Sequence, residues 1–413
     1  MIIVLYITLI AISFLFKVTK TKNQLDINNL FTLLWGAVGI ISYLNFLPLI
    51  RVEEYIHYNI ILSIFLFNIV YLIFRKKDTI LYKNKIEITN NKKFELNFKF
   101  IYILNILAFC IMLPLFFEAI ILIMNNGFSN YRHIIKEAAM QNNFSALINR
   151  QLTKAIFDIT TLIAVIQLTK GDKRLIALSL AGILVYTITY GGRYALLNFV
   201  IYYICAYILT GKKIEKIKGK YIFFIIVAMT FTTIVRNSDG ISLIESALIY
   251  FVGSLSFLQY ILNNPLSFGW GDGLTYGYLT FGFITEPLAM AIKVVTGWDI
   301  NMPSYYFNIY TQKFYNIGET ENFFYNNNTT FYYHFLRDFG KFGFVLGTIF
   351  FASVTSLLVN KFNRTFDFRI LCFLVYLCGV LLTSTMMYTM LNITTFISFV
   401  LILIFTKKTK NSL

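Results

Sequence analysis

Charged residues are scarce in this chain, and the few it has are unevenly divided between bases and acids. Only 14% of its 413 residues are Asp, Glu, Lys or Arg, with 36 basic against 20 acidic residues. A soluble domain carries about 25% charged residues. This shortage excludes an ordinary soluble globular protein, and the formal net charge of +16 needs an explanation other than solubility.

Metal-binding patterns are also missing. The cysteines all lie inside apolar stretches without the spacing of zinc ligands, at Cys110, Cys205, Cys372 and Cys378. We therefore predict that they pack, without a disulfide or a metal. No Asp-x-Asp pair occurs, and the nearest motif, Glu319-x-Glu321, is typical of surface charge. We expect no metal and no other cofactor.

Apolar residues make up 57% of the chain. They fall in blocks of about 16–24 residues, each long enough to cross the hydrocarbon core of a bilayer as a helix. The fold class predicted is an all-α polytopic integral membrane protein with about eleven transmembrane helices. The predicted spans are 1–16, 30–49, 57–74, 100–123, 153–169, 175–190, 194–209, 221–235, 341–359, 370–387 and 391–405.

Two thirds of the Lys and Arg residues lie in alternate connections between these spans, such as "RKKDTILYKNKIEITNNKK" and "GKKIEKIKGK". By the positive-inside rule, this places the N-terminus outside and the C-terminus in the cytoplasm. The net charge then reflects orientation and contact with membrane lipids, and nucleic acid is not expected as a partner.

Three segments follow from this map. Residues 1–235 form a first membrane bundle of about eight helices, with an outer loop near 124–152. Residues 236–340 form a large extracytoplasmic loop, in which 246–262 is predicted to be interfacial or re-entrant. Residues 341–413 hold the last three helices and a basic cytoplasmic tail.

Two glycines and an arginine interrupt the apolar run "YTITYGGRYALLNFVIYY" near its centre. One interpretation is that Arg193 snorkels to lipid phosphate at the membrane surface. The other is that Gly191 and Gly192 let an anionic ligand approach the backbone while the guanidinium binds it in a bidentate fashion. Arg236, at the end of the eighth span, has the same two interpretations.

A third arginine lies before the ninth span, in "TTFYYHFLRDFGKFGFVLG". His334 and Arg337 are three residues apart and share a face if this stretch is helical. The neighbouring cation would favour a neutral imidazole, able to act as a base. Asp338 is equally suited to chemistry or to an ion pair with an arginine.

Further polar and aromatic residues on the predicted outer side are candidates for secondary substrate contacts. Arg132 and Arg150 belong to a basic first outer loop, which is also typical of a solvated helix. Four aromatic residues of the large loop could stack on sugars, although most are expected to form its core: Trp270, Tyr276, Trp298 and Tyr305.

This layout resembles the bacterial oligosaccharide repeat-unit polymerases, the Wzy-type O-antigen and capsular polysaccharide polymerases. The resemblance covers nearly the full length, although its motifs are short. The matching residues are Gly191, Gly192, Arg193, Thr330, Asp338, Phe339, Gly340 and Gly343.

The resemblance implies a GT-C-like fold in the bacterial cytoplasmic (inner) membrane. It also implies a glycosyltransferase that moves a growing glycan from undecaprenyl diphosphate to the terminal sugar of an incoming lipid-linked unit. Arg193 and Arg236 would bind the diphosphate, Arg337 would be a third cation, and His334 or Asp338 the base. A chain-length regulator and a flippase are the partners it suggests.

Two alternatives stay open. An O-antigen ligase-type transferase would use nearly the same chemistry on a different acceptor. A flippase or transporter of lipid-linked oligosaccharides would need charges near the middle of the bilayer, where this chain has mainly Glu118 and Asp158.

Overall fold

The protein is a helical membrane protein. The computed structural model describes residues 1–18, 26–75, 94–140, 144–167, 173–190, 194–210, 243–298, 300–311, 313–319, 323–325, 328–365 and 367–408. Within these ranges, four segments are long and apolar enough to cross a membrane: Ile27–Leu44, Glu54–Phe74, Phe98–Asn125 and Phe331–Thr365.

The described residues of the first part of the chain form a series of helices and one short strand. Their bounds are α1 Ile2–Val18, α2 Ile27–Leu44, α3 Glu54–Phe74, β1 Phe94–Leu96, α4 Phe98–Met140, α5 Phe144–Gln167, α6 Lys173–Tyr190 and α7 Tyr194–Thr210.

The second part has shorter helices and three more strands. Their bounds are α8 Leu243–Asn263, α9 Gly282–Thr296, α10 Pro303–Thr311, β2 Tyr315–Asn316, β3 Phe324–Tyr325, α11 Phe331–Phe339, α12 Gly343–Thr365, α13 Phe368–Thr383, α14 Ile393–Phe405 and β4 Thr406–Lys408.

All the predicted spans except 221–235, which lies outside the described residues, overlap one of these helices, although α2 ends at Leu44 and not at the predicted residue 49. The agreement follows from the bilayer, which forces each apolar block to satisfy its own backbone hydrogen bonds as a helix.

The chain forms two compact units, each assembled from separated stretches of sequence. Unit 1 comprises Met1–Ile80, Ile244–Arg364 and Val380–Phe396, and unit 2 comprises Leu81–Leu243, Thr365–Gly379 and Ile397–Leu413. The division predicted from the sequence, into 1–235, 236–340 and 341–413, separates membrane segments from a loop and not compact units. It stays a prediction.

In unit 1, polar side chains of α2 and α3 bond to each other across the helix interface. Asn28 donates to Asn68 at 3.0 Å, and Asn68 donates to Thr32 at 2.7 Å. At one end of these helices, Asp26 caps α2 and forms an ion pair with Arg75. Such bonds hold helices together where lipid removes the hydrophobic driving force.

In unit 2, helices α4, α5 and α6 are joined in the same way. Asn105 of α4 donates to Thr160 of α5 at 2.8 Å, and Ser179 of α6 donates to Thr161 of α5 at 2.8 Å. The basic tail begins as β4, which pairs antiparallel with β1.

Both predicted outer loops contain helices. The loop near 124–152 continues α4 as far as Met140, with a kink at Gly127 (φ 75°, ψ 161°), and α5 begins at Phe144. The segment 236–340 contains α8 to α11. The placement of both segments outside the membrane stays a prediction.

The segment 246–262, predicted to be interfacial or re-entrant, belongs to α8, and residues 252–259 of this helix are buried. Its position relative to the membrane stays a prediction. A later helix, α9, carries an exposed apolar face. That face consists of Ile284, Leu288, Ile292 and Val295. A helix of 15 residues is too short to cross a bilayer, and a helix with such a face typically lies in the membrane interface.

Helix α13 ends at Thr383 rather than at the predicted residue 387. The turn that follows is buried in unit 1, where the backbone oxygen of Ser384 accepts from the amide of Phe331 at 2.9 Å. The Ser384 hydroxyl accepts from Trp35 Nε1, also at 2.9 Å. The turn is therefore hydrogen-bonded to Phe331, the first residue of α11.

Candidate functional sites

The predicted diphosphate-binding residues are mostly beyond what the structure describes. Gly191, Gly192, Arg193 and Arg236 lie outside the described residues, as does the side chain of Arg132. Their roles stay predictions. The residues on either side of the Gly-Gly-Arg sequence are described, and they show how the helices are arranged around it.

Two cations of α5 lie over two tyrosines that immediately flank the Gly-Gly-Arg sequence. Arg150 Cζ is 4.9 Å from the ring centroid of Tyr190, the last residue of α6. Lys154 Nζ is 5.3 Å from that of Tyr194, the first residue of α7. Both contacts are in the range of cation–π attraction. Arg150 was singled out in the sequence, whereas Lys154 was missed because it lies inside an apolar span.

The neighbouring turns of this site are polar as well. One turn beyond Lys154, Asp158 accepts from Asn198 of α7 at 3.0 Å. On the opposite side, the Tyr131 hydroxyl of α4 donates to the backbone oxygen of Thr189. Helices α4 to α7 therefore all contribute polar groups near the α6–α7 junction.

The second region of interest is α11, which places His334 and Arg337 on a helix, as the spacing predicted. Arg337 is fully buried. Its guanidinium donates to the backbone oxygens of Gly269 and Gly273 and to the hydroxyl of Tyr306. A planar fork of donors suits this arrangement. The side chain thus holds the segment 269–273 against α11.

Asp338 is equally buried and binds the next part of the same segment. Its carboxylate accepts from the hydroxyl of Thr275 and from the amides of Leu279 and Thr280. The ion pair with an arginine that the sequence left open does not occur among the described residues. Arg337 and Asp338 together fasten residues 269–280, which favours a positioning role over direct chemistry.

His334 is enclosed by aromatic rings. Its ring centroid is 4.8 Å from those of Phe307 and Tyr388 and 5.3 Å from that of Tyr333. Neither ring nitrogen has a side-chain hydrogen-bond partner among the described residues. A base must reach its proton within hydrogen-bonding distance, and this enclosure keeps substrate away from His334 in the conformation described.

The four aromatic candidates were expected to form mostly core, and this expectation was wrong. Tyr276, Trp298 and Tyr305 are 82%, 67% and 38% exposed, and only Trp270 is half-buried. Tyr276 also has a positive φ of 49°, which is costly for a bulky residue. The bonds from Arg337 and Asp338 to its segment hold it there, with its ring directed outward.

Glu286, on α9, is a buried acid that the sequence analysis missed. Its Oε1 accepts from the Ser304 hydroxyl at 2.7 Å, and Oε2 is buried without a hydrogen-bond partner among the described residues. Burial raises the pKa of Glu286 to about 7, and the bond from Ser304 opposes the shift only in part. Nothing in "GFITEPLAM" distinguishes it from a surface glutamate.

Two sequence interpretations concern cysteines and metals. Cys205, Cys372 and Cys378 are buried as predicted, but Cys110 is exposed on α4 and does not pack in the core. Among the described residues, no group of three or more His, Cys, Asp or Glu side chains is arranged to hold a metal ion.

Comparison with known proteins found no matching family model, no matching curated protein and no matching solved structure.

Proposed function

We propose that this protein is a membrane-embedded glycosyltransferase that polymerises lipid-linked oligosaccharide repeat units. It would transfer the growing glycan from undecaprenyl diphosphate to the terminal sugar of an incoming lipid-linked unit. The proposal includes eleven spans with the N-terminus outside, the C-terminus in the cytoplasm, and the reaction at the outer face of a bacterial inner membrane.

The observation that carries this proposal is the gathering of cations at the α6–α7 junction. Arg150 and Lys154 lie over Tyr190 and Tyr194, and Arg193 follows two glycines between those tyrosines in the sequence. Fixed cations at a membrane-embedded junction suit a lipid diphosphate.

The chemistry follows from the charge that develops in the reaction. The acceptor hydroxyl attacks the anomeric carbon of the donor sugar, the bond to the diphosphate breaks, and the leaving diphosphate gains negative charge. Preorganised cations stabilise that charge without a metal. The sugar–diphosphate bond supplies the driving force, so the reaction needs no further cofactor.

The acceptor glycan would bind on the segment between α8 and α11. Tyr276 and Trp298 are exposed there, and aromatic rings present apolar faces on which a sugar ring can stack. In this proposal Arg337 and Asp338 position the segment that carries Tyr276, and the proton of the acceptor hydroxyl leaves to a group other than the enclosed His334.

The experiment is a polymerisation assay with purified protein in nanodiscs and an undecaprenyl-diphosphate repeat unit, with chelator present. We expect a ladder of products from the wild type and none from Arg193→Ala. Transfer of a single block to a different acceptor would favour the ligase-type alternative. Movement of the unit across a sealed membrane without a ladder would favour the flippase alternative, and either result would refute the polymerase.

A further inference from the structure

Lys154 has an unusual position in α5. Residues 153–167 of this helix are buried throughout, with Lys154 as the one exception, which is half-buried. It lies ten residues after the first residue of α5, or about 15 Å along the helix axis. Lys154 therefore stays partly accessible to solvent, next to the partly exposed residues 150–152 at the start of the buried part of α5.

Among the described residues, the charge of Lys154 is not neutralised by an ion pair. No carboxylate lies within salt-bridge distance of Lys154 or of Arg150 among the described residues. The nearest acid along α5, Asp158, attracts Lys154 from one helical turn away, beyond the distance of a salt bridge. A half-buried cation with no ion pair is costly and is satisfied by water or by a bound anion.

The two cations are also fixed in position. They are four residues apart and share one face of α5. Each is held over a tyrosine ring, and these rings belong to two different helices. A cation held in this way needs little further ordering when it binds a ligand.

From this geometry we infer that Lys154 and Arg150 form a binding site for phosphate groups, with Tyr190 and Tyr194 as its walls. The guanidinium would bind phosphate oxygens in pairs, and the ammonium would act as a point charge. The phosphates can come from the diphosphate of a lipid-linked substrate, an assignment that rests on the proposed function, or from the headgroup of an anionic lipid.

The test measures binding, so it does not depend on polymerisation. The wild type and the variants Lys154→Gln, Arg150→Gln and Lys154→Arg are placed in nanodiscs of phosphatidylcholine, which has no net charge. Each is titrated with undecaprenyl diphosphate, and inorganic pyrophosphate serves as the competitor. In a second arm, thermal stability is followed as phosphatidylglycerol replaces phosphatidylcholine. Arg364→Gln, which removes an exposed cation of α12, is the matched control.

We expect each glutamine variant to bind undecaprenyl diphosphate about tenfold more weakly, as for the loss of one charge-assisted hydrogen bond. Lys154→Arg should retain most of the affinity, and the control should be unchanged. If stability in phosphatidylglycerol depends on Lys154 while diphosphate binding does not, the site holds and its ligand is the lipid headgroup.

Two results separate this inference from the proposed function. The phosphate site is overturned if both glutamine variants match the wild type in undecaprenyl-diphosphate affinity and in thermal stability with phosphatidylglycerol. This holds even if the wild type forms a glycan ladder. Weaker diphosphate binding in the variants, together with a wild type that forms no ladder, retains the site and refutes the polymerase. A folded Arg150→Gln protein keeps the test decisive if Lys154→Gln does not fold.

Discussion

Replacing Glu286 by glutamine is expected to remove a pH dependence from the stability of this protein. In the wild type, burial raises the pKa of this carboxyl from 4.5 to about 7. The folded protein therefore favours the protonated form. The stabilisation is complete below pH 4.5 and is lost as the pH rises through the window up to about 7.

The magnitude follows from the size of the shift. A rise from 4.5 to about 7 corresponds to roughly 3 kcal/mol of unfolding free energy, because each pKa unit is about 1.4 kcal/mol. The nearest titratable neighbour, Tyr278, does not interfere, since burial and the charge of Glu286 raise its pKa to about 12. Glutamine keeps the shape of the side chain and cannot ionise.

The assay is thermal unfolding of purified protein in detergent between about pH 5 and pH 8, chosen to bracket the titration. We expect the apparent Tm of the wild type to fall relative to that of Glu286→Gln as the pH rises. Glu54→Gln, which removes an exposed carboxyl of α3, should follow the wild type. A constant difference between Glu286→Gln and the wild type across the whole range would refute the argument.

Three further variants test the packing of unit 1 through the apparent Tm. Gly343→Ala should destabilise by about 1–3 kcal/mol, because a Cβ there would lie 2.3 Å from the backbone oxygen of Phe335. Arg337→Lys should cost roughly 3 kcal/mol, since an ammonium cannot reproduce the buried fork. Asp26→Asn should cost only about 1 kcal/mol, because it removes an ion pair with Arg75 that keeps some contact with solvent and leaves a residue able to cap α2.

These variants also have results that would contradict the structure. An unchanged Tm for Gly343→Ala would mean that α11 and α12 are further apart than described. An Arg337→Lys protein as stable as the wild type would mean that the segment 269–280 does not depend on the guanidinium. If Asp26→Asn lowered the stability as much as Arg337→Lys, the ion pair between Asp26 and Arg75 would have to be shielded from solvent.

Part of the candidate site could be read from sequence and part could not. The helical spacing of His334 and Arg337 predicted a shared helix, and α11 confirms it. Their surroundings were not predictable, because Gly269, Gly273 and Tyr306 approach Arg337 from far along the chain. Similarly, Lys154 and Tyr194 are 40 residues apart in the sequence, and no local pattern connects them.

The sequence by itself determined where this chain is helical within the membrane. A lipid environment leaves an apolar block no other way to pair its backbone groups, so block length and composition were sufficient. Tertiary structure alone decided that the segment between α8 and α11 is folded into helices and that its arginine and aspartate are bonded internally. It also decided that Arg150 and Lys154, the cations described near the α6–α7 junction, lie beyond salt-bridge distance of any described carboxylate. These properties depend on contacts between distant residues, and the energy of a charged group is set by the partners that such contacts bring to it.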